Sequence, residues 1–542
     1  MNTDPVSNRL RRDRPALRHA VGQVWIVLFL ALIIRLVAAL PQSQPNYMDA
    51  TYYTVGGQRL AQGYGFNDPY VWNYLDQPTT LPHPSHVYWM PLASMLVGIS
   101  ESIFGISYRA AQIPFIVLSA LLSLIAFSVA WRLSSSRRAA WIAALLTIFS
   151  GFYVPYWGVP ESFAPFAVFG SLALYLSVDR TARRLFLAGL CAGLAHLSRA
   201  DGVLLLIPML WIQFRDEGGA MKDEKRQSYR FRPDLSPLIF IFMGYFLIML
   251  PWFIRNSVAI GAPLSAAGTQ AAYVCNYDEL FSFNAQLDLN HLINCGAGQV
   301  LLDKLTGLGT NLIHLMAEDG LIFLAPLIAI GVWKLRRERV YQAVIIYLVL
   351  LYLVMSIIFT FAGERGGLFH SSSALLPFFF AAVPIGLDAI IDRIAARRRT
   401  WNARQARSIF GSFIVILAVA LSVSLWFGRV IGANVADPIW NQADRVYDSI
   451  GQWLTDQGEH DPIVMVNNPP SFYYHTGLRS IVIPAGDVNP LLLAADQFGA
   501  GWLVLDPNHV HALDALYAGS EINPRLEHVN DFASIQVYRI VH

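Results

Sequence analysis

Charge is scarce in this chain. Of 542 residues only 14% are Asp, Glu, Lys or Arg, against about 25% in an ordinary soluble domain. That shortage excludes a disordered chain, a nucleic-acid binder and an ordinary cytosolic enzyme. Cysteine is scarcer still: three residues are too few for a disulfide scaffold or a multi-cysteine zinc module. There is no Gly-rich phosphate loop of either standard kind, no internal repeat and no low-complexity tract. Apolar side chains, by contrast, make up 55% of the chain, and the mean hydropathy is +0.43. This composition predicts a polytopic α-helical membrane protein.

Apolar runs near 21–40, 109–131, 139–157, 161–178, 184–198, 202–214, 235–256, 318–335, 340–361, 368–390 and 409–431 predict about eleven transmembrane helices. Segments 1–20, 132–138, 179–184, 215–232, 334–339 and 392–407 hold 27 of the 39 Lys and Arg. They are alternate loops, and the positive-inside rule turns them toward the cytoplasm. A basic N-terminus, 1–20, is thus expected inside and the C-terminus outside, with the plasma (inner) membrane as the setting. The first run is read as a retained helix, not a cleaved signal peptide. It is long and contains Arg35, which is expected to snorkel near the outer end.

The membrane domain is expected over 21–431, with large outer loops at 41–108 and 257–317. Within the first, 88–104 is apolar but broken by Pro91, Gly98 and Glu101, which suits a helix lying in the interface. The second holds Cys275 and Cys295, expected to be bonded in a compartment where disulfides persist. Beyond about 432 the pattern changes. A helix over 436–457, short apolar strands at 463–466, 481–483 and 502–505, helices near 489–499 and 509–518, and a strand near 535–541 predict an extracytoplasmic α/β domain, 432–542.

Charged groups beside apolar spans carry information because they are costly there. Most lie at outer ends: Asp49, Glu161 after Pro160, the turn Arg199-Ala200-Asp201, Glu318 with Asp319, and Glu364, Arg365 and His370. An ion pump would place carboxylates at mid-span instead. The pattern favours chemistry at the outer surface. Each group also has a plainer reading. Asp49 suits a helix cap, Glu161 a helix N-terminus, and Arg199 with Asp201 a solvated turn pair. Glu318 and Asp319 suit caps. His83 and His86 are too few for a metal site alone.

The segment His83-Pro84-Ser85-His86-Val87-Tyr88-Trp89, following Asp49, resembles the GT-C superfamily of integral-membrane glycosyltransferases. It is most similar to the branch of the protein O-mannosyltransferases and the lipid A aminoarabinose transferase. There an early acidic residue precedes Lys-Pro-x-x-x-Tyr-Trp, here with His for Lys. Pro160-Glu161 and Ser198-Arg199-Ala200-Asp201-Gly202 match further positions of that pattern. The resemblance implies sugar transfer from a polyprenyl-phosphate-linked donor in the bilayer to an extracytoplasmic lipid, glycan or protein acceptor, with inversion at the anomeric carbon.

In that scheme Asp49 is the general base, and Glu161 positions substrate or shares a divalent cation with Asp49. His83, His86, Arg199 and Arg365 bind the donor phosphate. Tyr52, Tyr53, Tyr88, Trp89 and Asp201 line the sugar or lipid groove. Two departures leave metal dependence open: Ala50 follows Asp49 where the mannosyltransferases have a second acidic residue, and His83 is not a permanent cation. A transporter or flippase for a lipid-linked glycan and a non-catalytic membrane receptor or subunit are the alternatives.

Overall fold

The computed structural model describes residues 5–220, 235–398 and 400–542. The expectations for the basic segments 1–20 and 215–232 fall partly outside the described residues. Among the described residues, six helical stretches are long and apolar enough to cross a membrane: Gly22–Ala39, Tyr108–Ser134, Ser236–Ala259, Arg339–Ile358, Thr360–Arg397 and Ala403–Ile431. The protein is a polytopic helical membrane protein. Other expected spans are shorter helices, such as Arg137–Ile148, Phe163–Leu176 and Ala325–Leu335. A 12-residue helix rises only about 18 Å. The run at 139–157 stops early because the chain turns at Gly151, whose φ is +58°, into a short 3₁₀ turn, Gly151–Tyr153.

The helices are named in chain order: α1 (Pro5–Ala39), α2 (Met48–Ala61), α3 (Leu92–Phe104), α4 (Tyr108–Ser134), α5 (Arg137–Ile148), α6 (Phe163–Leu176), α7 (Ala182–Ser198) and α8 (Ser236–Ala259). Helices α7 and α8 cross at van der Waals distance through glycines. A Cβ on Gly189 would meet the Ile241 carbonyl at 2.0 Å, and one on Gly244 would meet the Phe186 carbonyl at 2.2 Å. Small residues at such crossings let dispersion contacts replace the hydrophobic effect that lipid cannot supply. Helix α3 has 13 residues and leaves Ile99, Ile103 and Phe104 exposed. It is too short to span, as the breaks in its sequence implied.

Arg35 does not snorkel. It is 1% exposed, and its guanidinium donates to the carbonyls of Thr147 and Ile148 at 2.9 and 2.8 Å. Those carbonyls end α5, where a cation satisfies orphan acceptors and complements the helix dipole. The Trp157 ring lies beneath it.

The C-terminal segment builds a mixed sheet. Its strands are β4 (Ile463–Val466), β5 (Ser480–Val482), β6 (Ala500–Leu505), β7 (Leu526–Phe532) and β8 (Ile535–Ile540). The loop 41–108 supplies β1 (Asn67–Asp68), β2 (Tyr70–Val71) and β3 (His83–Pro84). Strands β1 and β3 form a two-stranded ladder, while β2 joins the large sheet, whose order is β2-β5-β4-β6-β8-β7. Tyr70 and Val71 pair in parallel with Ser480 and Ile481. Side chains alternate faces: Val464, Val466, Trp502 and Val504 fill one core, Met465, Leu503 and Leu505 the other. The expected helix over 436–457 is shorter, Val446–Asp456, after a 3₁₀ turn at Ile439–Gln442. Strand β7 was not expected, because its residues Leu526–Phe532 alternate too little apolar character to signal one. Cys275 and Cys295 are joined by a disulfide. Closing that loop stabilises the fold by about 3 kcal/mol in a chain-entropy account.

Candidate active site

Asp49 is the second residue of α2. It does not cap the helix: the capping position is Tyr47, with no side-chain bond. In the first turn the helix dipole favours a carboxylate. Glu161 stands just before α6, and Arg199 closes the C-terminus of α7. His370 lies in a short helix, Leu368–Ser372, entered through Arg365 and Gly366, where the backbone leaves helical geometry and Gly366 has a φ of +112°.

These four elements meet. One ligand-type atom from each of Asp49, Glu161 and His370 lies within 4.8 Å of the others. Glu161 is 1% exposed. Its Oε1 is 2.9 Å from His370 Nε2 and accepts from Ser162 Oγ at 2.7 Å. The Nδ1 of His370 faces the Gly366 carbonyl at 2.6 Å, and its ring stacks on Phe163 at 3.9 Å. A carbonyl and a carboxylate both only accept. Nδ1 therefore carries a hydrogen toward the carbonyl, and the Glu161 charge, acting against burial, favours the protonated ring.

Arg199 is held by Asp201 at 3.1 Å, Ser371 Oγ at 2.8 Å and the Gly367 carbonyl at 3.3 Å. This pair is no solvated turn, since its side chains are 18% and 11% exposed. Asp201 holds Arg199 through its Oδ1. Burial, then the charge of Glu161, pushes the Asp49 carboxyl up to about 6, against the pull of His370 and Arg199. A carboxylate tuned toward neutrality is a better general base than an ordinary one.

Tyr53 and Tyr88 lie close enough to sense the charges on Asp49 and Arg199. Tyr277, from the second outer loop, senses Asp49 too, and the Arg365 guanidinium sits 3.9 Å over its ring. Tyr277 was missed: one tyrosine in a long loop gives no signal in sequence. His370 was noticed as an outer-loop residue but given no role.

Other expectations are corrected. His86 is 2% exposed, with its ring nitrogens 2.8 and 2.9 Å from Ser85 Oγ and Ser94 Oγ. Burial, aided by Arg255, lowers its pKa to about 3. It is a neutral packing residue, not a phosphate cation. His83 lies in β3 across the ladder from Asp68, with Nδ1 2.7 Å from the Pro84 carbonyl. The ligand-type cluster at Asp49 contains Glu161 and His370, not His83 or His86. Tyr52 and Trp89 are packing residues as well. Trp89 stacks on Trp72 at 3.9 Å, and the Tyr52 hydroxyl accepts from the His86 backbone N–H.

Residues 82–221 match the sequence family of dolichyl-phosphate-mannose-protein mannosyltransferases. The match takes in Glu161 and Arg199 but not Asp49 or His370. No curated protein matches the sequence. In structure the chain is similar to ArnT from Cupriavidus metallidurans, solved bound to undecaprenyl phosphate. The identity is 12% and the TM-score 0.55, over 96% of this chain and 98% of that one. It is also similar to the oligosaccharyltransferase AglB from Archaeoglobus fulgidus, solved with an inhibitory peptide and a dolichol-phosphate. There the identity is 12% and the TM-score 0.50, over 92% of this chain and 70% of that one. The chain has the fold of GT-C membrane glycosyltransferases.

Proposed function

We propose that this protein is an inverting glycosyltransferase of the GT-C kind. It moves a sugar from a polyprenyl-phosphate-linked donor to an acceptor outside the cytoplasm, at the inner membrane. The observation that carries the reading is the meeting of Asp49, Glu161, His370 and Arg199 in one half-buried cluster. A hydroxyl of the acceptor attacks the anomeric carbon from the face opposite the phosphate. The new carbon–oxygen bond forms as the bond to phosphate breaks, and the hydroxyl proton passes to Asp49. Polyprenyl phosphate leaves with the electron pair. Arg199 and Arg365 hold its charge, since a guanidinium fork fits two phosphate oxygens. Glu161, fixed by His370 and Ser162, positions the acceptor. The donor's tail stays among the apolar helices.

Purified protein incubated with radiolabelled polyprenyl-phosphate monosaccharides and a crude envelope extract is expected to move label to an acceptor. No transfer with any bound donor would favour a flippase or a receptor. A second reading has one observation behind it. Asp49, Glu161 and His370 offer two carboxylates and an imidazole at a spacing that suits a divalent cation. Such an ion would supply charge for the leaving phosphate. Loss of transfer on dialysis against a chelator, restored by one metal, would move Asp49 from base to ligand.

Two further results are expected. The Asp49 carboxyl titrates near 6 and must be ionised to accept a proton. Above pH 6 kcat/KM should be flat, and below it should fall about tenfold per pH unit. A profile flat from pH 5 to 8 would exclude Asp49 as the base. Arg199→Lys keeps the charge but loses the fork, so the donor KM should rise about tenfold, roughly the worth of one charge-assisted hydrogen bond. An unchanged donor KM would remove Arg199 from phosphate binding.

A further inference from the structure

Asp319 was read in sequence as a helix cap, and the structure gives it a different position. It ends a π-helical turn, Leu315–Asp319, that continues the helix Ala297–His314. A carboxylate at a helix C-terminus opposes the dipole. Asp319 is nevertheless only 2% exposed, so its surroundings hold it there. Its Oδ1 accepts from the Tyr153 hydroxyl at 2.6 Å and from Ser372 Oγ at 3.1 Å. The Tyr153 ring packs on Phe369 at 4.3 Å, and its hydroxyl also reaches the Phe369 carbonyl at 2.9 Å.

Asp319 and Tyr153 thus hold both ends of the turn 369–372, at Phe369 and Ser372. The two residues between those ends make other contacts. His370 meets Glu161, and Ser371 meets Arg199. Just upstream, Arg365 and Gly366 break the helical geometry, so the turn is not carried by a continuous helix. The contacts of Asp319 and Tyr153 anchor it from outside that segment.

We propose that Asp319 is a positioning residue: through Tyr153 and Ser372 it fixes the turn that delivers His370 to Glu161 and Ser371 to Arg199. It touches no substrate. Its kinetic arm rests on the glycosyltransferase reading above. A displacement of about 1 Å in reacting groups costs about 10²-fold in rate. The full-length protein is compared with Asp319→Ala, which removes both acceptor oxygens, and with Tyr153→Phe, Ser372→Ala and Ser372→Thr. Tyr153→Phe keeps the ring and its packing, so it decides the matter if Asp319→Ala fails to fold.

Expected is a fall in kcat of about 10²-fold for Asp319→Ala with the donor KM unchanged, a smaller fall for Tyr153→Phe, and rescue of Ser372→Ala by Thr. The double variant Asp319→Ala with Tyr153→Phe should be no worse than Asp319→Ala alone, because both break the same Tyr153–Asp319 bond. Amide hydrogen exchange over 366–373 should quicken in both single variants. Normal kcat in Asp319→Ala and Tyr153→Phe, or additive losses, would overturn the proposal. If even the wild type transfers nothing, exchange decides alone. Faster exchange keeps the anchor while the transferase reading falls, and unchanged exchange overturns the anchor.

Discussion

Asp49→Asn is expected to lower kcat by about 10²–10⁴-fold, the range a positioned general base contributes. The substitution keeps size and shape and removes only basicity. The variant should fold normally, because Asp49 caps nothing and sits in the first turn of α2. The neutral amide relieves repulsion from Glu161, so any stability change should be a small gain. Donor affinity should hold, since phosphate binding is assigned to Arg199 and Arg365. The residual rate should also lose its acid limb near pH 6, because the group that titrated there is gone. A variant that transfers at the wild-type rate would place the base elsewhere, with Glu161 the next carboxylate to test.

The largest effect on stability is expected at the Glu161–His370 pair. Glu161 is 1% exposed, and His370 Nε2 is 2.9 Å from its Oε1. Replacing His370 with Ala strands a buried carboxylate whose remaining close partner is Ser162. Removing one member of a buried pair costs about 3–5 kcal/mol. His370→Ala should therefore unfold at a clearly lower temperature in detergent. Glu161→Gln added to His370→Ala should recover much of the loss, since no unpaired charge then remains. Strict additivity of the two substitutions would mean the pair is not coupled. Both variants should also lose transfer, so folding must be measured beside activity.

The cluster was partly legible in sequence, and the reasons differ by residue. Asp49, Glu161 and Arg199 stood out because a charge beside an apolar run is costly and needs a purpose. His370 lacked a role because nothing local links it to Glu161; only folding brings α6 and the turn at 368–372 together. Its signal was the run Gly363-Glu364-Arg365-Gly366-Gly367, which bends the chain between two apolar stretches. His86 was misread for the opposite reason. Its place in a family-like motif suggested a phosphate contact, but its neighbours Ser85 and Ser94 hold it neutral inside the loop. Arg35 was misread because a lone arginine near a span end usually reaches for water. Here the orphan carbonyls of α5 were nearer. Strands β4, β5, β6 and β8 of the C-terminal sheet were legible as short apolar runs between helical patterns. Strand β2 was not, because two residues carry no period.

That two-residue strand bears on how the molecule is made. Tyr70 and Val71 are synthesised 410 residues ahead of Ser480 and Ile481, their ladder partners. The loop 41–108 must wait for that whole stretch before its edge can be paired, a long closure of the kind that slows folding. During that interval the Asp49 segment is tied to the membrane helices but not yet to the sheet. A chain truncated before 463 never receives the partner strand, and its first loop stays unfinished even with every membrane helix in place. The segment bearing Asp49 is thus made long before the strand that completes its loop.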